Sequence, residues 1–308
     1  MIRIDNILVI VDPTAQVHPA VDKALQIAKR CNARLELFAC ETQKSRDDRL
    51  AAHVASGSSD AFIINVRALL EPLAEAARRE DVDVCIETDS GGPLHARLLD
   101  RLHSTHADLV VKDTHHHSLP RRTLLTNTDW ELIRGCAAPL LLTRSRPYQF
   151  APAIAAALDP GHANDASGAL DRRILDFAQL FAKRLGGSLH LVHAFMPVAL
   201  AVEAAAGSPA LMGFDERVLQ ELQSARQTAM RALAHSCSPT EPEIHMQTGA
   251  ATEVLPRVAR DIEADIMVMG AISRSGLQRI FIGSTAERVL EHLPCDVLIV
   301  KPADFSTM

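Results

Sequence analysis

Asp265-Ile266-Met267-Val268-Met269-Gly270, then Ala271-Ile272-Ser273-Arg274-Ser275-Gly276, then Gly283-Ser284-Thr285-Ala286-Glu287: in this order the stretch reads as a strand, a loop and the first turn of a helix. The unbroken apolar run suits a parallel strand covered on both faces. Gly283-Ser284-Thr285 supplies a turn and hydroxyls at the point where a helix N-terminus exposes its unpaired N–H groups. A glycine-bearing loop between a buried strand and a helix N-terminus is the pattern of a phosphate cradle.

Working outward, the same alternation fills the chain. Asn6–Val11 is a β-branched run ending at Asp12, and Pro19–Cys31 carries Val21, Leu25, Ile27 and Ala28 at helical spacing. Strands follow at 34–39, 82–87, 108–112 and 139–143, with helices over 60–79, 94–106 and 128–136 between them. Ser90-Gly91-Gly92-Pro93 reads as a helix-entry turn with proline at the helix start. Strand and helix alternating at this pace imply a parallel sheet with right-handed crossovers.

The order then begins again. Ala153–Leu158 ends at Asp159 as Val11 ends at Asp12, Ala182-Lys183-Arg184 repeats Ala28-Lys29-Arg30, and Ser188–Leu191 repeats Arg34–Leu37. From Ala107-Asp108 against Ala264-Asp265 to Leu141 against Leu298 the match runs at one constant spacing, with Thr128 on Thr285. The spacing is shorter at the two strand-ending aspartates, so the second copy carries its extra residues in early loops, mostly Ala199–Phe214. These matches describe a duplicated five-stranded α/β unit. The expected domains are 1–146 and 152–303, joined by a linker short enough to hold them as an intrachain pseudo-dimer, with further homodimerisation left open.

The totals narrow the classes of function. A chain of 308 residues with 47% apolar and 23% charged residues suits two soluble domains. A net charge of −6 leaves no excess of Lys and Arg for a general nucleic-acid binder. No apolar stretch approaches the roughly 20 residues of a membrane span. Met1–Val11 runs straight into a strand without a cleavage site, so a cytoplasmic location is expected. The six cysteines lack CxxC spacing and read as thiols in a reducing compartment, with no disulfide framework and no zinc knuckle.

These residues resemble the universal stress protein family. Its nucleotide-binding members carry Gly-x2-Gly-x9-Gly-Ser/Thr after the fourth strand; here the register is Gly270, Ser273 in place of the second glycine, then Gly283-Ser284. Thr126-Asn127-Thr128-Asp129-Trp130 in a tandem chain is similar to the E subfamily. The resemblance implies two Rossmann-like domains of strand order 3-2-1-4-5, with the fifth strands pairing. It further implies a cytoplasmic stress-response protein without established catalytic residues. It places ATP, with Mg, against Asp159, Gly270, Ser273, Arg274, Gly276, Gly283, Ser284 and Thr285 of the second half, Asp159 facing adenine and ribose.

The first half departs from that pattern. Its loop from Asp113 to Arg122 has no glycine, and Asp113 stands where the second half has Gly270, so its charge repels phosphate. His115-His116-His117 are consecutive and point in different directions, which favours solvated side chains over a metal site. Trp130, the single tryptophan, is assigned to packing. No Ser–His–Asp set, paired carboxylates or activated cysteine stands out. The reading is therefore a binding protein rather than an enzyme. The alternatives are a module for an apolar or lipid-like ligand or a protein partner between the halves and, last, a slow nucleotide hydrolase.

Overall fold

The computed structural model describes residues 2–41, 59–90, 94–114, 125–160, 168–195, 216–237, 241–270, 284–303 and 305. The chain forms two compact units, Met1–Tyr148 with Asp296–Met308, and Gln149–Gln278 with Ile282–Cys295.

The first unit contains β1 (Asn6–Ile10), α1 (Pro19–Cys31), β2 (Arg34–Glu41), α2 (Ser59–Arg78), β3 (Val84–Ser90), α3 (Leu94–Thr105), β4 (Leu109–Asp113), α4 (Asn127–Gly135) and β5 (Leu140–Thr143). Its strands lie in the order β3-β2-β1-β4-β5, each neighbour parallel, as expected for a doubly wound unit. Leu8, Val9, Leu37, Val110 and Val111 fill the centre of the sheet without exposure, because a parallel sheet is covered on both faces. Helix α1 buries Val21, Ala24, Ile27 and Ala28 on one stripe and ends at Asn32 in the left-handed region, φ 56°.

The second unit contains β6 (Ala153–Ala157), α5 (Ala169–Leu185), β7 (Ser188–Phe195), α6 (Glu216–His235), β8 (Glu243–Thr248), α7 (Ala251–Asp261), β9 (Ile266–Gly270) and α8 (Ser284–His292). Its strands run β8-β7-β6-β9, again parallel throughout. The duplication extends to the backbone. Asn32 and Gly186 end equivalent helices in the left-handed region, and His106 and Glu263, also equivalent, share positive φ. Asp108 accepts the N–H groups of Asp5 and Asn6, and its counterpart Asp265 accepts those of Gln149 and Ala153. In each copy the carboxylate ties the entry of the first strand to the start of the fourth.

The last strand, β10 (Asp296–Val300), belongs to the first unit, antiparallel to β5 with Leu298 opposite Leu141. The repeat in the sequence and the packing unit thus part at this element, and the expected pairing of the two fifth strands is present. Lys23 of α1 anchors the strand: its Nζ lies 2.8 and 2.7 Å from the Asp296 carboxylate oxygens and donates to the Arg144 carbonyl at 2.8 Å. Burial pushes the Asp296 carboxyl up, and the Lys23 ammonium opposes that shift.

Cys40, Cys136, Cys237 and Cys295 are buried free thiols, and Cys31 and Cys85 half-buried ones. Among the described residues no helix is long and apolar enough to cross a membrane.

Candidate functional site

In an open parallel sheet the ligand-accepting crevice lies beyond the carboxyl ends of the strands where the strand order reverses. In the second unit that point is β6, flanked by β7 and β9. Asp159 follows β6, and its backbone N–H donates to both oxygens of Asp171 in the first turn of α5, at 3.1 Å each. Gly270 closes β9. A methyl group there would come 2.5 Å from Leu170 Cδ2 and 3.4 Å from Ile174 Cδ1, so the glycine lets α5 sit down on the strand end. Leu170 and Asp171 thus link Gly270 and Asp159 through one helical turn.

The end of β7 adds His193, which the sequence reading passed over. Its ring is 1% exposed, Nδ1 donates to the Leu158 carbonyl at 2.9 Å, and Asp159 Oδ1 stands 3.9 Å away. Burial lowers its basicity, and the neutral ring with a proton on Nδ1 leaves Nε2 as a buried lone pair. Among the described residues that atom has no hydrogen-bond partner. The ring stacks on Phe195 (centroids 6.3 Å apart), and the Arg226 guanidinium of α6 lies 5.4 Å from the Phe195 ring. The alternation of β7 offered a signal, since His193 and Phe195 fall on one face and His190 on the other. Nothing in the spacing singled it out.

Beside Asp159 a cavity of about 530 Å³ opens between α5 and α6, with Arg172, Asp176 and Gln179 among its polar lining and Leu175 and Leu233 among its apolar lining. Its size suits a small-molecule ligand. The acids Asp159, Asp171 and Asp176 make it a poor seat for phosphate and a good one for hydroxyl and N–H donors. Ser284 and Thr285 open α8. Ser273, Arg274, Gly276 and Gly283 lie outside the described residues, as do His115-His116-His117, Arg121-Arg122 and the Ala199–Phe214 insertion.

The equivalent edge of the first unit is filled by the protein's own carboxylates. Asp113, in the place of Gly270, accepts the Ala20 N–H of the first turn of α1 at 2.8 Å and the Thr143 hydroxyl at 2.7 Å; burial raises its pKa. Thr126 caps α4, taking the Asp129 N–H at 3.3 Å, while Asp129 Oδ2 accepts the Thr126 N–H at 2.7 Å in a full capping box. Asp129 Oδ1 lies 2.8 Å from Lys112 Nζ. Asp113 thus takes one N–H at the start of α1, Asp129 takes that of the α4 cap residue, and both carboxylates put negative charge where a phosphate would otherwise approach. Asp12 is engaged in the same way, accepting the Thr14 N–H at 2.8 Å and hydroxyl at 2.6 Å.

Comparison with known proteins agrees with this architecture. The model of the universal stress protein family matches twice, over residues 3–144 and 163–301. Universal stress protein E of Escherichia coli K12 is 27% identical over 100% of this chain and 97% of its own length, and that of Salmonella typhi is 27% identical with the same coverage. A crystal structure of a protein of unknown function from Pseudomonas aeruginosa PAO1 superposes with a TM-score of 0.74 at 26% identity, covering 98% of this chain and 94% of that one. A universal stress protein from Archaeoglobus fulgidus shares the fold at a TM-score of 0.61 and 15% identity, over 96% of this chain and 98% of that one. With the α/β unit present twice and the family model matched in both copies, the chain belongs to the universal stress protein family, whose members are in general stress-response proteins.

Proposed function

We propose that the protein is a stress-response binding module that holds ATP or a related nucleotide, with Mg, in its second half and does not turn it over efficiently. The observation that carries this reading is the contrast between the two copies. Asp113 and Asp129 place carboxylates at the helix ends of the first copy, while the equivalent positions of the second are Gly270 and Ala286. The second copy thus has no carboxylate at those two positions; Glu287 is the acid in the first turn of α8, and the helix N-terminus favours an anion. The acidic cavity beside Asp159 suits the sugar and base, whose hydroxyl and amino groups donate, and the glycines and hydroxyls of the sequence from Gly270 to Thr285 are proposed to take the phosphates. Asp159, Gly270, Ser273, Arg274, Gly276, Gly283, Ser284 and Thr285 are the proposed contacts. In the sequence no spacing marks a general base or water-positioning residue for a third phosphate, and slow hydrolysis at most is proposed.

Calorimetric titration of Mg-ATP into the wild-type chain and into Gly283→Val tests the proposal. A saturable heat in the wild type that the valine abolishes supports it. Identical heats in both proteins, or none in either, overturns it.

A further inference from the structure

On the face of β7 opposite His193, a second group of side chains converges. His190 of β7 is register partner to Glu243 of β8, and His245 lies two residues along the same strand, so the parallel pairing puts all three on one face. His190 Nδ1 is 3.0 Å from His245 Nε2 and 3.6 Å from Glu243 Oε2, and His245 Nε2 is 3.8 Å from Glu243 Oε1. The imidazoles are largely buried and the carboxylate is 67% exposed, so the group opens to solvent on its Glu243 side. We propose that His190, Glu243 and His245 form a three-ligand site for a divalent metal ion of the zinc type.

Three observations support it. The first is geometric: zinc bonds of about 2.0–2.1 Å in a tetrahedron set ligand atoms about 3.3 Å apart. The two imidazole nitrogens, 3.0 Å apart, are close to that edge, the carboxylate approaches each of them through a different oxygen at 3.6 and 3.8 Å, and one ligand atom from each residue lies within 4.8 Å of the others, so small side-chain shifts admit an ion. The second is the outer partner. Ser188 Oγ lies 2.9 Å from His190 Nε2, and a proton on Nε2 donated to that hydroxyl leaves Nδ1 as the lone pair facing the other two ligands. Two imidazoles and one carboxylate suit zinc, whereas Mg prefers an all-oxygen shell.

The third is the equivalent place in the first unit. There Glu36 and Cys85 are register partners, Glu87 follows on the same face, and a cation already sits among them. Arg101 of α3 donates from Nε to Glu36 Oε1 at 2.6 Å and reaches Glu87 Oε1 at 3.7 Å. At the spacing that matches Ala107 to Ala264, Arg101 corresponds to Val258, a buried residue of α7. The second copy therefore has imidazoles at the places of Glu36 and Glu87, Val258 at the place of Arg101, and the neighbouring guanidinium of Arg257 held by Gln247. Among the described residues, the groups within ion-pair distance of Glu243 are the two imidazoles. Only one proton fits between His190 Nδ1 and His245 Nε2. Binding of M2+ at His245 Nε2 requires the ring's single proton to stand on Nδ1 instead, so both imidazoles bind neutral, and water takes the fourth position left by a three-ligand set.

The site is independent of the nucleotide reading, and its test is direct. Full-length protein stripped with chelator is titrated with ZnCl2 against a chromophoric competitor, and with CoCl2 while the visible spectrum is recorded. Expected are one zinc per chain and the intense visible bands of four-coordinate cobalt. His245→Ala should weaken zinc at least about 100-fold, and Glu243→Gln and the outer-shell Ser188→Ala each about 10-fold. Glu243 is exposed, so Glu243→Gln keeps the test open should His245→Ala fold poorly. Replacing His115, His116 and His117 together by alanine should leave the stoichiometry unchanged. The proposal is overturned if zinc is not bound, if Glu243→Gln and His245→Ala bind it as the wild type does, or if only the loop histidines matter.

Discussion

Lys112 Nζ lies 2.8 Å from Asp129 Oδ1 across the first unit, and the two side chains are 6% and 0% exposed. Lys112 stands near the end of β4 and Asp129 in the first turn of α4, so the pair closes the edge at which the second unit is proposed to admit phosphate. The matching residues of the second copy are Met269 and Ala286. Removing one partner strands the other charge in the interior. Lys112→Met should therefore cost about 3–5 kcal/mol. The double change Lys112→Met/Asp129→Ala, which installs the residues of the second copy, should cost less than Lys112→Met alone, its main loss being the capping box, about 1 kcal/mol. Urea unfolding followed by Trp130, the single tryptophan, reports on this unit. Strictly additive midpoint shifts would show that the two charges do not act as a pair.

Lys301, just beyond β10, is buried, donates to the Arg134 carbonyl at 3.0 Å and lies 4.1 Å from the Phe305 ring centre. Burial holds its ammonium down to about 8, against an ordinary 10.5. With the folded value below the unfolded one, the folded chain sheds its proton first. The stability linked to this residue is complete above pH 10.5 and is lost as pH falls through about 8. Lys301→Met removes the dependence. Its stability relative to wild type should be most favourable below pH 8 and become less so between pH 8 and 10.5. A stability difference that is flat over this range would refute the assignment.

Gly270 has a packing duty separable from any ligand. Gly270→Ala places a methyl 2.5 Å from Leu170 Cδ2, and forced repacking of this kind costs about 1–3 kcal/mol. Leu170→Ala in the same chain removes the clash, so the double variant should be less destabilised than the sum of the two single changes. Thermal unfolding of the four proteins measures the coupling. If Gly270→Ala matches the wild type in midpoint, α5 does not depend on the glycine.

Much of the fold was legible because its signals are local. Ile7–Ile10 and Ile266–Met269 are apolar runs that suit a covered parallel strand, and α1 shows its buried stripe through Val21, Ile27 and Ala28, while Leu25 of the same expected stripe is only half-buried and Ala24 takes its place. The duplication was legible too, since paired residues such as Asp108 and Asp265 do the same backbone work in both copies. What escaped depends on register between segments far apart in the chain. Lys112 reads as a strand terminus until its reach to Asp129 is known, and His190 has no visible link to Glu243 and His245 until β7 and β8 are aligned. His193 was hidden for a related reason: its meaning lies in an atom without a partner among the described residues, which composition does not register. The glycines and hydroxyls from Gly270 to Thr285 point to a ligand by type, while the choice of ligand depends on the partners around Asp159.

Those partners separate the two strand-ending aspartates, which the sequence presents as equals. Asp12 turns its carboxylate back on Thr14, accepting both its N–H and its hydroxyl. Asp159 lines the cavity between α5 and α6, its Oδ1 is 3.9 Å from His193 Nδ1, and Asp171 takes its backbone N–H. A ribose or amino group donating to a carboxylate contributes about 1.5–3 kcal/mol, so Asp159→Ala should weaken Mg-ATP about 10-fold or more. Asp12→Ala should leave that affinity unchanged and cost only the local turn. Asp12 lies in the first unit, so Asp12→Ala should leave the unfolding midpoint of the second unit in place, and in Asp159→Ala the backbone N–H keeps its bond to Asp171. Equal losses of affinity at both positions would place nucleotide in the first copy as well, against the self-filled geometry of Asp113 and Asp129.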